Sequence, residues 1–114
     1  MTAYAIAHIR PDTVNEDILR YIEEIQPTMD PFGGRFAVHG AEVEVLEGSW
    51  PGTVVVIAFP DLAAARAWYH SPAYQAILRL RTDHIPGEAI LVPGVPADYD
   101  PRKRAAAMRE AAGL

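Results

Sequence analysis

Gly33-Gly34-Arg35-Phe36-Ala37-Val38-His39-Gly40 opens the stretch that decides the fold, and Ala67-Trp68-Tyr69-His70-Ser71-Pro72-Ala73-Tyr74 closes it. Between them lies Thr53-Val54-Val55-Val56-Ile57-Ala58-Phe59, largely β-branched and without polar alternation. A strand with one face in water alternates. One without alternation lies within a sheet that is covered on both sides. The paired glycines follow the breaker-rich segment Thr28-Met29-Asp30-Pro31-Phe32, where they can adopt positive φ or let another backbone approach closely. A second strand is expected from Arg35 to His39, interrupted at Gly40 by a bulge and resumed through Val43-Glu44-Val45-Leu46-Glu47.

Towards the N-terminus, residues 3–10 read as a strand with small or apolar side chains at both parities, bounded by Pro11. Thr13 and Glu16 have capping-box spacing, and Val14, Ile18, Tyr21, Ile22 and Ile25 recur at helical spacing. Pro27 disfavours helical geometry at Gln26 and is expected to end this helix there. Towards the C-terminus, Asp61 is a good N-cap for a helix with Leu62, Ala65, Trp68 and Tyr69 on its apolar face. Ser71 followed by Pro72 predicts that the helix restarts, with Ala73, Ile77 and Leu80 on one face and Tyr74, Leu78 and Arg81 beside them. Glu88 to Val92 makes a last strand. Pro96 and Pro101 mark an extended linker, and Asp100 caps a final helix from Arg102 to Ala112. Its apolar surface is mostly alanine, which leaves it to fray or to lie on a neighbouring subunit. The expected division is a domain over residues 1–94 and a C-terminal extension over residues 95–114.

The order strand, helix, strand, strand, helix, strand is the split βαβ arrangement of a ferredoxin-like α+β domain, with a four-stranded antiparallel sheet and helices on one face. Strands that are apolar on both faces then call for a second copy over the open face, a homodimer. At 114 residues, half hydrophobic and 22% charged, the chain has globular composition. Its longest apolar run, Val54 to Phe59, is far short of a membrane helix, and Met1-Thr2-Ala3-Tyr4 lacks a basic leader, so cytoplasm is the default expectation. A net charge of −5 opposes a phosphate backbone, so nucleic acid is not an expected partner. There is no cysteine, which excludes disulfides and thiolate chemistry.

Gly33-Gly34-Arg35-Phe36, Glu47-Gly48, Phe59-Pro60 and Ala67-Trp68-Tyr69-His70-Ser71-Pro72-Ala73-Tyr74 together resemble the pattern of the small bacterial family catalogued as domain of unknown function 1330. The similarity spans roughly residues 3–94, and Trp-Tyr-x-Ser-Pro-x-Tyr is its most specific part. The resemblance implies the dimeric α+β barrel superfamily. Its other families include cofactor-independent monooxygenases, muconolactone isomerases, haem-degrading enzymes and stress-responsive barrel proteins. It implies no particular reaction. His39 stands where the family pattern often has arginine, and Ala41 where a second glycine commonly follows Gly40. Arg35, Glu47, Trp68, Tyr69 and Tyr74 match as structural or pocket positions.

Arg35, Ala37 and His39 share one parity, so Arg35 and His39 would lie about 7 Å apart on one face, able to hold an anionic oxygen and exchange a proton with it. The bland alternative is that both reach solvent or a dimer edge. Tyr69, turned about 100° from a core Trp68, is the third catalytic candidate, at a pocket rim. Trp50, Glu47 and Tyr74 are the substrate-binding candidates, with Trp50 near the mouth. His8, alone on the first strand, reads as a core or interface group. The four histidines, His8, His39, His70 and His84, show no ligand spacing, and no metal or other cofactor is expected. By analogy with the superfamily that the resemblance implies, the expectation is a small-molecule-binding protein or a cofactor-independent enzyme performing proton transfer or oxygenation on a small, mostly apolar substrate. The alternative is a non-catalytic homodimeric binding or structural module.

Overall fold

Ala3–Ile9 forms β1, whose alternate side chains turn to the helix side and to the outer side of the sheet. In the computed structural model, which describes residues 1–10 and 14–114, β1 lies between β3 (Thr53–Phe59) and β4 (Gly87–Pro93), antiparallel to both. The edge strand β2 (Arg35–His39) pairs antiparallel with the other side of β3, giving the order β2-β3-β1-β4. Helix α1 (Glu16–Met29) connects β1 to β2, and α2 (Leu62–Tyr69) with α3 (Pro72–Thr82) connects β3 to β4. This is the ferredoxin-like α+β arrangement that the element order predicts. Among the described residues no helix is long and apolar enough to cross a membrane.

The helix boundaries follow local chemistry, with one departure from expectation. Thr13 of the anticipated capping box lies outside the described residues. The cap that is seen is Asn15, whose side chain accepts the Ile18 N–H at 3.0 Å. The expected end at Gln26 is corrected, because α1 runs through Pro27 to Met29. Pro27 is exposed, and the carbonyl that its missing N–H would have bonded belongs to exposed Glu23, so that carbonyl is not left orphaned in the interior. Thr28 and Met29 meanwhile are buried, which holds the extra turn in helical geometry. In α2, Asp61 accepts the Ala64 N–H at 2.8 Å. Ser71 accepts the Tyr74 N–H at 3.2 Å with Pro72 opening α3, so the chain stops at His70 and restarts.

β2 corrects a second expectation. The bulge falls at Ala37, between the Phe36–Ile57 and Val38–Val56 pairs, and not at Gly40. Gly40 instead takes φ 71° and gives its N–H to the Val54 carbonyl, ending the strand. Residues 43–47 do not resume it: continuing the register would set Val43 opposite Pro51, which has no N–H to offer, and β3 begins only at Thr53.

Buried side chains gather between the helices and one end of the sheet. Met29 and Phe59 are wholly enclosed, with Ile25, Ile57, Ala65, Trp68, Tyr74 and Ile77 around them. The Trp68 indole N–H donates to the Thr28 hydroxyl at 3.0 Å, which donates onward to the Ile25 carbonyl at 2.6 Å, so the buried polar atoms are satisfied. The last helix, α4 (Pro101–Ala111), is capped by Asp100 and buries none of its residues.

Gly34 makes the passage from α1 into β2 possible. A Cβ there would stand 2.6 Å from the Phe59 ring and 3.0 Å from the Met29 Cβ. Gly34→Ala should therefore destabilise the fold by about 1–3 kcal/mol through overpacking, read as a lower urea midpoint with an unchanged slope; an unaltered midpoint would show that Phe59 yields freely.

Candidate functional site

The sheet register sorts side chains into transverse rows. One row on the helix side runs Phe36, Ile57, Ala5, Leu91, and the next runs His39, Val55, Ala7, Ala89. Three of these positions are alanines, where a filled core would carry larger side chains. Beneath α1, α2 and α3 they leave a cavity of about 400 Å³, within the few-hundred-Å³ range of small-molecule sites.

The helices bring the polar groups. Ile18, Tyr21 and Ile25 lie along the inner stripe of α1, and Tyr74, Ile77 and Arg81 along that of α3, at helical spacing. The inner stripe of α3 is thus turned by one residue from the expected Ala73, Ile77, Leu80 face, and Ala73 is exposed. The Tyr21 and Tyr74 hydroxyls hydrogen-bond each other at 2.7 Å, and the Arg81 guanidinium carbon lies 5.5 Å from the Tyr21 ring centre. Tyr74 also packs on Trp68, with ring centres 4.2 Å apart, and faces Tyr69 at 5.6 Å. Burial pushes the Tyr21 phenol well above the ordinary tyrosine value; Tyr74 adds to the effect and the charge of Arg81 partly offsets it. For Arg81, burial disfavours the charge, but Tyr21 and Tyr74 outweigh it, and the guanidinium is held above its ordinary value.

His39, Tyr69 and Tyr74, of the residues singled out from sequence, line the cavity. His39 reaches it because the bulge at Ala37 restores it to the parity of Phe36, on which its ring stacks at 4.1 Å and 9°. The same bulge undoes the expected pairing of Arg35 with His39. Arg35 stands opposite Ala58 and points to the outer side of the sheet. Glu47 is exposed beyond the end of β2. Trp50 does not stand at the cavity mouth. It packs on the outer side against His8, ring centres 4.7 Å apart. His8 also contacts the Pro51 carbonyl, and its Nδ1 is 3.8 Å from Glu88, which Arg10 holds with two hydrogen bonds of 2.9 and 2.6 Å. Among the described residues no three His, Asp or Glu side chains gather as metal ligands would.

Sequence reasoning passed over Tyr21 and Arg81 as functional groups. Tyr21 read as packing because it keeps the spacing of Ile18 and Ile25. The usable signal was an arginine seven residues after Tyr74 on an otherwise apolar stripe.

Comparison with known proteins bears on the fold. Residues 2–95 match the family described as Domain of unknown function (DUF1330), and the chain belongs to it. No curated protein matches the chain. Among solved structures it is similar to a protein of unknown function from Rhodopseudomonas palustris, at 17% identity and TM-score 0.64 with 83% of each chain covered. It is also similar to a dimeric ferredoxin-like protein of unknown function from Thermobifida fusca, at 22% identity and TM-score 0.56, covering 82% of this chain and 92% of that one. A third is SnoaB, a cofactor-independent oxygenase from Streptomyces nogalater, at 11% identity and TM-score 0.53, covering 87% and 96%. These likenesses establish the shared fold.

A tyrosine whose folded value lies above its unfolded one keeps its proton when the unfolded chain has released it, so stability falls as pH rises past the ordinary value of 10.0. Tyr21→Phe should flatten that alkaline loss, measured by urea unfolding between neutral pH and the alkaline limit; an unchanged slope would mean that Tyr21 ionises as freely in the folded protein as in the unfolded chain.

Proposed function

We propose that this protein binds a small, mostly apolar molecule in the cavity between its helices and its sheet, and acts on it without a cofactor by proton transfer or oxygenation. The observation that carries this reading is the cavity itself, roofed by aromatic and aliphatic side chains, floored by alanines and supplied with a few convergent polar groups. SnoaB is described as a cofactor-independent oxygenase on the same fold, which offers a precedent for such chemistry and no more.

In this reading His39 is the proton acceptor, its ring fixed by stacking on Phe36 and open enough to water to exchange the proton afterwards. Tyr69 and Tyr74 shape the cavity and offer hydroxyls to the bound molecule. Arg35, Glu47 and Trp50 would serve the outer surface or an edge between copies. Filling the cavity tests the reading. Ala7→Phe should weaken binding of the neutral probe N-phenyl-1-naphthylamine at least tenfold while leaving the circular dichroism spectrum intact; undiminished binding would place the probe elsewhere and remove the support for the site.

The outer side of the sheet supports a homodimer, the assembly in which a non-catalytic module would also work. Its transverse row reads Val38, Val56, Ile6, Ile90, and Val38 and Ile90 are 36% and 56% exposed in the single chain. Such a face is covered when two copies press together, and the Thermobifida fusca relative is described as dimeric. Ile90→Glu should convert a dimer to a monomer in light scattering after size-exclusion chromatography. A monomeric parent protein would sink the dimer.

A further inference from the structure

We infer that the ligand of this cavity is a monoanion, a single negatively charged oxygen group on a small apolar or aromatic body, held by Arg81 and the Tyr21–Tyr74 pair. The inference rests on the cavity reading above and adds the charge and orientation of the ligand.

Arg81 is the central observation. It continues the inner stripe of Tyr74 and Ile77 on α3, and its guanidinium enters a cavity lined mainly by apolar side chains. A charge partly withdrawn from water is normally paired. Yet no carboxylate of the described residues forms an ion pair with Arg81. Two carboxylates on the same pair of helices are engaged elsewhere: Asp83, at the end of α3, with Arg79 at 3.4 Å, and Asp17 of α1 with His84 at 2.9 Å. Arg81 faces two phenols, with its carbon 5.5 Å from the centre of the Tyr21 ring.

The phenols extend the same pattern. One hydroxyl donates to the other across 2.7 Å, and the accepting tyrosine keeps its own proton, for which the described residues supply no acceptor. The guanidinium also turns N–H groups towards the two phenol oxygens, but it carries more N–H groups than two phenols engage, so one phenolic O–H and the remaining guanidinium N–H groups stand as donors at this part of the cavity, with no charged acceptor among them. Such a set is complementary to an anionic oxygen, and arginine is suited to bind a carboxylate through two parallel hydrogen bonds. A single cation in apolar surroundings matches one negative charge. A phosphate ester would bring two.

Direct titration of the intact protein with benzoate and with its neutral isostere benzamide, each competing against N-phenyl-1-naphthylamine, tests this without any variant. Benzoate should bind at least tenfold more tightly than benzamide. Arg81→Gln should abolish that preference, read as the ratio of benzoate to benzamide affinity within the same variant, and Arg81→Lys should recover part of it. Equal affinities for benzoate and benzamide would overturn the inference, as would a preference that survives Arg81→Gln; in either case continued probe binding leaves the cavity reading standing. If the neutral probe does not bind at all, both fall together.

Discussion

β1 pairs on both sides, and that double constraint sets what lies beneath the helices. Its register with β3 and β4 admits no slip, because a shift of one residue would turn Ala5 and Ala7 outward and bring Tyr4, Ile6 and His8 under the helices. The side chains so fixed are small, and the helices cannot collapse onto them, being held off by the cluster of Met29, Phe59, Trp68 and Tyr74. Interiors are otherwise packed as densely as organic crystals. Larger residues at Ala5, Ala7 or Ala89 would add apolar contact at the expense of the space, so the hollow is a feature for which the chain forgoes stability.

The polar groups of the cavity stand on rigid elements. Tyr21 and Arg81 project from two antiparallel helices, and Tyr74 begins α3 directly after the Ser71 cap. The capping geometry that stops and restarts the chain at His70 therefore sets the angle at which Tyr74 meets Tyr21. Ser71 does double duty, accepting the Tyr74 N–H while its hydroxyl donates to the Trp68 carbonyl at 2.7 Å. Loss of that hydroxyl would disturb the cap and, through it, the phenol pair.

The fold was legible in the sequence because its signals are local and mutually consistent: uninterrupted β-branched residues in β3, Asp61 and Ser71 as caps, and glycines where the chain turns. Legibility failed where partners decide the outcome. Pro27 carries a strong local signal, yet burial of Thr28 and Met29 keeps the helix going. Val43 to Leu46 have strand composition but no strand to pair with inside one chain. Within the cavity, Tyr69 and Tyr74 stood out because aromatic residues cluster around a double helix start. Arg35 was misplaced beside His39 because a bulge leaves no signature in Arg-Phe-Ala-Val-His. The relation of Tyr21 to Arg81 arises only when α1 and α3 lie side by side, which no spacing along the chain encodes.

The bulge has a consequence for chain length. Ala37 contributes no partner to the ladder, and the pairs on either side of it are already in continuous step. A chain one residue shorter at this point would pair in the same way and keep His39 inward and Val38 outward. In β3, which is paired on both sides, the same deletion would reverse the faces of every residue beyond it. Tolerance to insertion and deletion is thus concentrated on the edge strand, where the rim of the cavity can change length without turning the sheet inside out.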